Sequence, residues 1–267
     1  MNEKLLHTPE GVRDIYDAEC KKKKKVISQI HHVLELYSYQ DIDTPSFEYF
    51  DIFNMDKGSA ASNEMYKFFD RNNNTLVLRP DITPSIARSV AKYYPEEQLP
   101  IRLCYAGNTF LNTHQHQGKL SEFTQIGGEL INDDSSAADA EIACVIHCLL
   151  AAGLKEFQIE IGEVEFFKGM IEEAGLDDET EQRIKEYIHS KNFFGLTEFV
   201  NTLEIPEERK TALKSFESLF GGLDMLDHAE KLVTNAASLE AIARMRKVYT
   251  ALTSYGYEKY VSFDLSM

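Results

Sequence analysis

The sequence predicts an α+β fold in which helices flank an antiparallel sheet and a helical insertion precedes the last strand. Strand-like segments joined by hairpin turns fill much of the first half, helical patterns border them, and a charged, helix-rich stretch follows. We therefore predict a core of antiparallel sheet and helices over residues 1–165, a helical insertion over 166–246, and a return to the core over 247–267.

Three helical features frame the predicted core. Apolar residues recur every three or four positions over 19–38, which predicts a first helix, and the lysines at 21–25 are interpreted as its solvated start rather than an anion site. A second helix is predicted to open at Thr83-Pro84, with Thr83 as the N-cap and Pro84 in the first turn. A third is predicted from about Ser135 to Ala152.

The strands are predicted from apolar segments bounded by turns. Residues 101–112 and 121–131 indicate a long antiparallel pair joined by the polar turn THQHQGKL. The segment 37–53 is extended but interrupted at Pro45, because proline cannot donate to a strand ladder. The final segment, YEKYVSFDLSM, predicts a strand that returns to the sheet.

The charge balance restricts the class of partner. Acidic residues number 44 against 28 basic ones, giving a formal net charge of −16, which disfavours nonspecific binding to nucleic acid or to an anionic membrane. No apolar run of about 18 residues and no signal-peptide pattern is present, so we expect a cytoplasmic protein without a membrane partner.

The cysteine and histidine pattern gives little support for a metal site. The four cysteines form no CxxC pair and are interpreted as reduced thiols. Cys144 and Cys148 share a helix face, but no second ligand pair accompanies them. His114 and His116 alternate in a polar turn and are interpreted as solvated. We therefore expect no metal.

Four polar residues are candidates for binding a free amino acid. Asp81 and Thr83 follow a strand end, while Gln125 and Glu129 alternate on one face of the strand TQIGGEL. Carboxylate and amide oxygens suit an ammonium group, and an acid suits an imidazole. Gly127 is expected to leave open space for a ligand. The alternative is that Asp81 and Thr83 only cap a helix and that Glu129 faces solvent.

Several separated motifs carry a resemblance to a known family. The segments TPEGVRDIY, YSYQDIDTPSFEYFDIF, EMYKFFDR, LRPDITPSIAR and GKLSEFTQIGGELI occur in this order. They resemble the catalytic core of class II histidyl-tRNA synthetases, and still more the synthetase-like regulatory subunits of ATP phosphoribosyltransferase. The resemblance implies the class II synthetase fold. It also implies that Asp81, Thr83 and Gln125 hold the amino end of histidine and that Glu129 faces its imidazole.

The same resemblance implies that the nucleotide site is eroded. The synthetases place an arginine after the motif 2 phenylalanine, where it answers phosphate charge, but Phe110 is followed here by Leu111. A glutamate two positions further on is replaced by Thr113. Arg79 and Arg102 are interpreted as structural ion-pair partners. The second histidine loop and the third motif of the family are not found within residues 1–267, so no catalytic residue and no cofactor are expected.

The resemblance therefore implies a noncatalytic regulatory subunit of ATP phosphoribosyltransferase. It would bind the short-form catalytic subunit, support the first step of histidine biosynthesis and respond to L-histidine. The segment around Pro45 resembles the family's dimer motif, which implies a homodimeric core within a hetero-oligomer; no tRNA partner is expected. The alternatives are a fragment of a divergent histidyl-tRNA synthetase, and an interaction module without a ligand.

Overall fold

The computed structural model describes residues 6–54, 62–112 and 120–266. The chain divides into two compact units. Unit 1 contains the chain up to Asp133 together with His147–Gly153, and unit 2 contains Asp134–Ile146 and the chain from Leu154 onward. These boundaries differ from the three regions predicted from the sequence.

Unit 1 is built on a three-stranded sheet in the order β1 (Gln40–Asp41), β5 (Ile101–Phe110), β6 (Glu122–Ile131). Strands β5 and β6 pair antiparallel in register along their whole length, which confirms the predicted long pair. Strand β1 runs parallel to β5. About sixty residues separate these two strands, so a hairpin does not impose the antiparallel direction.

A second sheet of unit 1 has the order β2 (Phe47–Tyr49), β4 (Thr75–Leu78), β3 (Lys67–Phe69), with all neighbours antiparallel. Strand β2 begins just after Pro45, so the predicted extended segment is interrupted where proline was expected to interrupt it. Proline is tolerated at such a position because no ladder partner needs its missing N–H group.

The helices of unit 1 are α1 (Asp17–Leu36), α2 (Phe50–Asn54) and α3 (Thr83–Tyr93). Helix α1 includes the lysine run and lies within two residues of the predicted bounds. Pro84 lies in the first turn of α3, as predicted, because that turn leaves its N–H groups without intrahelical partners.

Helix α3 packs onto β5 through a small apolar core. Ile82 and Ile86, which precede and follow the first turn of the helix, contact Leu103 and Tyr105 of the strand. The prediction that Thr83 is the N-cap is wrong: Ile82 occupies that position and makes no side-chain cap bond. The Thr83 hydroxyl is directed elsewhere, as described below.

Unit 2 contains most of the remaining helices and a third sheet. The predicted helix over 135–152 is split into α4 (Ser136–Asp139) and α5 (Ile142–Ala151), and the end of α5 belongs to unit 1. The other helices are α6 (Val164–Ala174), α7 (Asp178–His189), α8 (Phe193–Thr202), α9 (Glu207–Lys214), α10 (Leu223–Ala229) and α11 (Ala236–Ser254).

The third sheet has the order β7 (Ile159–Ile161), β9 (Val261–Asp264), β8 (Phe220–Gly221). The predicted last strand exists as β9, and it pairs parallel with β7 and antiparallel with β8. An extensive apolar core, centred on fully buried residues such as Phe166 and Phe263, joins these strands to the helices. None of the helices in the described parts of the chain is long and apolar enough to cross a membrane.

Candidate functional site

Two hydrogen bonds bring the four predicted pocket residues together. The Gln125 amide donates from Nε2 to Asp81 Oδ1 over 2.9 Å. The Thr83 hydroxyl donates to Glu129 Oε1 over 2.7 Å. Asp81 and Thr83 lie at the entry to α3, whereas Gln125 and Glu129 lie on β6. Residues more than forty positions apart in the chain therefore form one polar cluster in unit 1.

The register of the hairpin explains why these side chains face one another. Residues 125, 127 and 129 of β6 lie on one face, because successive side chains alternate along a strand. Their partners across the ladder are Gly107, Tyr105 and Leu103 of β5. Leu103 and Tyr105 also contact Ile82 beside the start of α3. The first turn of α3 is thereby held above the face of the sheet that carries Gln125 and Glu129.

Tyr105 fills the space that was predicted to be open above Gly127. A Cβ atom on Gly127 would lie 2.5 Å from the Tyr105 hydroxyl oxygen and 2.6 Å from the ring carbon that bears it. The expectation of open space for a ligand there is wrong. Glycine is needed instead because the phenol of the cross-strand partner lies directly on the backbone.

The Tyr105 hydroxyl also belongs to the cluster, since its pKa is affected by both Glu129 and Thr83. The sequence analysis missed this residue. The strand register is the feature that would have identified it. In the observed register, Tyr105 is directly opposite Gly127 and adjacent to Glu129 on the same face. The loop length alone does not fix that register.

Two titratable groups of this cluster, Glu129 and Tyr105, have raised pKa values. Burial raises the pKa of Glu129, and the nearby charge of Asp81 adds to the increase, while hydrogen bonds from Thr83 and Tyr105 oppose it. Burial and then the Glu129 charge raise the pKa of Tyr105 to about 12. Within the described residues, neither Asp81 nor Glu129 forms an ion pair. The cluster therefore presents carboxylate charge without a counterion, which suits a cationic or N–H-rich ligand.

The helix-capping alternative is only partly supported. Asp81 Oδ1 does accept a hydrogen bond from the backbone N–H of Ile82 over 2.7 Å, so this carboxylate has a local role. The same oxygen also accepts from Gln125, which is not a capping contact. Thr83 caps nothing, and Glu129 is half-buried rather than solvated.

The residue that follows Phe110 carries no charge. Leu111 follows β5 and its backbone N–H donates to the carbonyl of Ser121, while its side chain supplies no charge. Thr113, His114 and His116 lie outside the described residues. Arg102 lies within β5.

Arg79 is structural, as predicted, but its partners are carbonyl oxygens rather than carboxylates. The buried guanidinium donates to the backbone carbonyls of Thr44, over 2.6 Å, and of Asn108, over 2.8 Å. It also approaches Gly107, where a side chain would collide with it. A buried guanidinium that donates to these carbonyls supports the strand ends.

The fold is that of the class II aminoacyl-tRNA synthetases. The chain belongs to the histidyl-tRNA synthetase family, since the family model "Histidyl-tRNA synthetase" matches residues 11–267. Both findings confirm the resemblance and the fold class that the sequence predicts.

Within that family, the chain is similar to curated proteins named as ATP phosphoribosyltransferase regulatory subunits. The chain is 40% identical, over all of its length, to the ATP phosphoribosyltransferase regulatory subunit of Acetivibrio thermocellus, and 41% identical, over 98% of its length, to that of Ruminiclostridium cellulolyticum. It spans 64% and 63%, respectively, of the length of these two proteins.

Two solved structures share the fold of this chain. A crystal structure described as an ATP phosphoribosyltransferase regulatory subunit/histidyl-tRNA synthetase from Bacillus halodurans is 35% identical with a TM-score of 0.82, covering 98% of this chain and 69% of the other. A histidine–tRNA ligase subunit from Alicyclobacillus acidocaldarius, at 21% identity and a TM-score of 0.72, shows the shared fold. It covers 98% of this chain and 80% of that one.

Proposed function

We propose that this chain acts as a noncatalytic regulatory subunit of ATP phosphoribosyltransferase and that its hairpin pocket binds L-histidine. The observation that carries the proposal is the joined cluster of Asp81, Thr83, Gln125 and Glu129, combined with the loss of the motif 2 arginine at Leu111. The relatives named as regulatory subunits support the same conclusion.

In this proposal, histidine replaces hydrogen bonds that the pocket residues now make with one another. The ammonium group donates hydrogen bonds to the carboxylate of Asp81 and to the side-chain oxygens of Thr83 and Gln125. The imidazole N–H donates to Glu129. Charge-assisted bonds of this kind are roughly twice as strong as neutral ones. This replacement of hydrogen bonds is favourable because the positive charge of the ligand compensates the negative charges of the neighbouring Asp81 and Glu129 carboxylates.

The absence of adenylation chemistry follows from the charge requirement. Attack of a carboxylate on the α-phosphate of ATP needs a positively charged donor at the phosphate, and losing one such donor costs about 3 kcal/mol of transition-state stabilisation. Leu111 supplies no charge, and Arg79 is engaged by carbonyl oxygens. We therefore assign the glycosyl-transfer chemistry to the partner, the short-form catalytic subunit, and none of it to this chain.

Histidine would regulate the complex through its differential affinity for active and inactive assemblies, since a ligand shifts an equilibrium only by that difference. The pocket provides a structural route for this regulation. Thr83 in the first turn of α3 is bonded to Glu129 on β6, so a ligand that breaks this bond changes how the helix start is held on the sheet.

An exposed aromatic surface supports the predicted homodimeric core. Phe47 and Tyr49 of β2 are 52% and 55% exposed, and Phe68 of β3 packs edge-on against Phe47 on the same face of the second sheet. Large apolar side chains grouped on a sheet face are typical of an interface. Strand β2, which carries Phe47 and Tyr49, begins two residues after Pro45, in the segment that resembles the dimer motif of the family.

The runner-up is a divergent histidyl-tRNA synthetase, favoured by the family model and opposed by Leu111. One experiment separates the two: the protein is mixed with ATP, labelled pyrophosphate and histidine, and in parallel is titrated with histidine in a calorimeter. The proposal predicts saturable histidine binding without pyrophosphate exchange. Histidine-dependent exchange would establish the synthetase, and absence of binding would leave a pure interaction module.

A further inference from the structure

A second polar cluster in unit 1 has no part in the proposed histidine pocket. His31 of α1, Asp41 of β1 and Cys104 of β5 each offer one ligand atom, and the three atoms lie within 4.8 Å of one another. The His31 Nε2 atom is 2.7 Å from Asp41 Oδ1, and Cys104 Sγ is 3.8 Å from the same oxygen.

The cluster lies on the other face of the sheet from the pocket. Asp41 and Cys104 are direct partners in the β1–β5 ladder. Cys104 is next to Tyr105 in the strand, so the two side chains point to opposite faces. On the Cys104 face, the partner position Gly128 is covered by Leu34 and Tyr39, at and just beyond the end of α1. His31 is one turn earlier in that helix.

We propose that His31, Asp41 and Cys104 form a Zn²⁺ site that ties α1 to the β1–β5 ladder. One imidazole nitrogen, one carboxylate oxygen and one sulfur are a donor set that zinc accepts, and three protein ligands leave a fourth tetrahedral position for water. On binding, the Cys104 thiol gives its proton to solvent and the sulfur coordinates as thiolate.

The ligand atoms can reach this coordination if the His31 side chain moves, since its nitrogen lies within 4.8 Å of the Cys104 sulfur and must approach it by up to about 1 Å. Zinc bonds of about 2.0 to 2.3 Å in a tetrahedron place ligand atoms about 3.3 to 3.8 Å apart. The sulfur of Cys104 already lies 3.8 Å from the Asp41 oxygen. The bond between His31 and Asp41 must lengthen by about 0.6 Å to reach that range. Those two side chains are 36% and 72% exposed, so they can move while the buried Cys104 stays fixed.

Glu35 strengthens the assignment. It lies one helical turn after His31, and its Oε1 atom is 3.8 Å from Nδ1 of the imidazole, the nitrogen that does not face Asp41. Metal-bound histidines usually present their second nitrogen to a carboxylate, which orients the ring and increases its basicity. Glu35 is therefore a positioning residue for His31 rather than a ligand.

Sequence spacing did not suggest this site, because its members come from three separate elements and none is part of a ligand motif. The expectation of no metal was based on Cys144, Cys148, His114 and His116, none of which takes part here. Only the parallel pairing of β1 with β5 brings Asp41 to Cys104.

The test is a Co²⁺ titration of the metal-free full chain, followed by competition with Zn²⁺. A bound thiolate gives a sulfur-to-cobalt charge-transfer absorption, so the proposal predicts that band at one ion per chain. We expect Cys104→Ser to abolish the band and His31→Gln to weaken Zn²⁺ binding at least about tenfold. The matched control His32→Gln changes the neighbouring histidine, which also lies near Glu35, and should leave Zn²⁺ affinity unchanged.

Circular dichroism of each variant confirms that it is folded. If Cys104→Ser does not fold, the exposed pair His31→Gln and His32→Gln still decides the matter. The proposal is overturned if the unaltered protein shows no charge-transfer band, or if His31→Gln and His32→Gln bind Zn²⁺ equally well.

Discussion

Replacing Glu129 with glutamine should separate the binding function of the pocket from the stability of the fold. The substitution keeps the size of the side chain and leaves an oxygen that can accept the Thr83 hydroxyl, which now donates over 2.7 Å. It removes only the negative charge. Histidine would therefore lose a charge-assisted hydrogen bond from its imidazole, while the surrounding packing is unchanged.

The expected loss of affinity can be worked from that one interaction. A hydrogen bond to a charged group contributes about 1.5 to 3 kcal/mol. This corresponds to roughly a 10- to 150-fold increase in the dissociation constant for histidine. Titration calorimetry of the unaltered protein and of the Glu129→Gln variant measures this ratio directly.

Stability should move little or even improve. The pKa of Glu129 is raised in the folded protein, which means that its charged form opposes folding at pH values above that pKa. A neutral glutamine removes that cost. We expect the free energy of unfolding without ligand to change by less than about 1 kcal/mol, measured by chemical denaturation.

Glu122→Gln provides the matched control. Glu122 lies at the start of the same strand, is on the opposite face from Glu129 and accepts a hydrogen bond from Asn108 over 2.7 Å. Its replacement should leave histidine affinity unchanged. The reasoning is refuted if both variants bind histidine as tightly as the unaltered protein, or if they weaken it equally.

Four further results are expected. Tyr105→Phe keeps the ring above Gly127 but removes the hydroxyl that interacts electrostatically with Glu129, so histidine affinity measured by calorimetry should fall about fivefold; an unchanged affinity would exclude the hydroxyl from the pocket. Gly127→Ala forces a methyl group against that phenol and should lower the unfolding free energy by about 1 to 3 kcal/mol in denaturant titrations. A stable variant would contradict the close approach. Histidine affinity should decrease as the pH is lowered through the pKa of Glu129, which is raised above 4.5, because protonation removes the acceptor charge; in the Glu129→Gln variant this contribution should be missing, and identical pH profiles would argue against it. Tyr49→Lys, placed on the exposed aromatic face, should shift the mass measured by light scattering from dimer to monomer, and an unaltered mass would place the interface elsewhere.

Local patterns in the sequence predicted the elements that depend on local physics. The two apolar segments over 101–112 and 121–131, joined by a polar turn, were sufficient for the β5–β6 pair, and the helical period was sufficient for α1. The four pocket residues could also be gathered in advance, because strand alternation places Gln125 and Glu129 on one face and a strand end places Asp81 beside them.

Features that depend on long-range pairing could not be predicted in the same way. Thr83 has the chemistry of an N-cap, but its hydroxyl bonds to Glu129, 46 positions away, and no local signal distinguishes the two outcomes. The space above Gly127 is filled by Tyr105 only because of the exact register of the hairpin. The partners of β9 also depend on tertiary packing, since β7 is about one hundred residues earlier in the chain.

The most direct test of the proposed function is an activity measurement with the partner. The short-form catalytic subunit of ATP phosphoribosyltransferase is assayed alone, with this chain, and with this chain plus histidine. The proposal predicts that the chain changes the activity and that histidine then inhibits it, with Glu129→Gln weakening the inhibition but not the association. No association at micromolar concentrations, or inhibition by histidine that Glu129→Gln leaves unaltered, would contradict it.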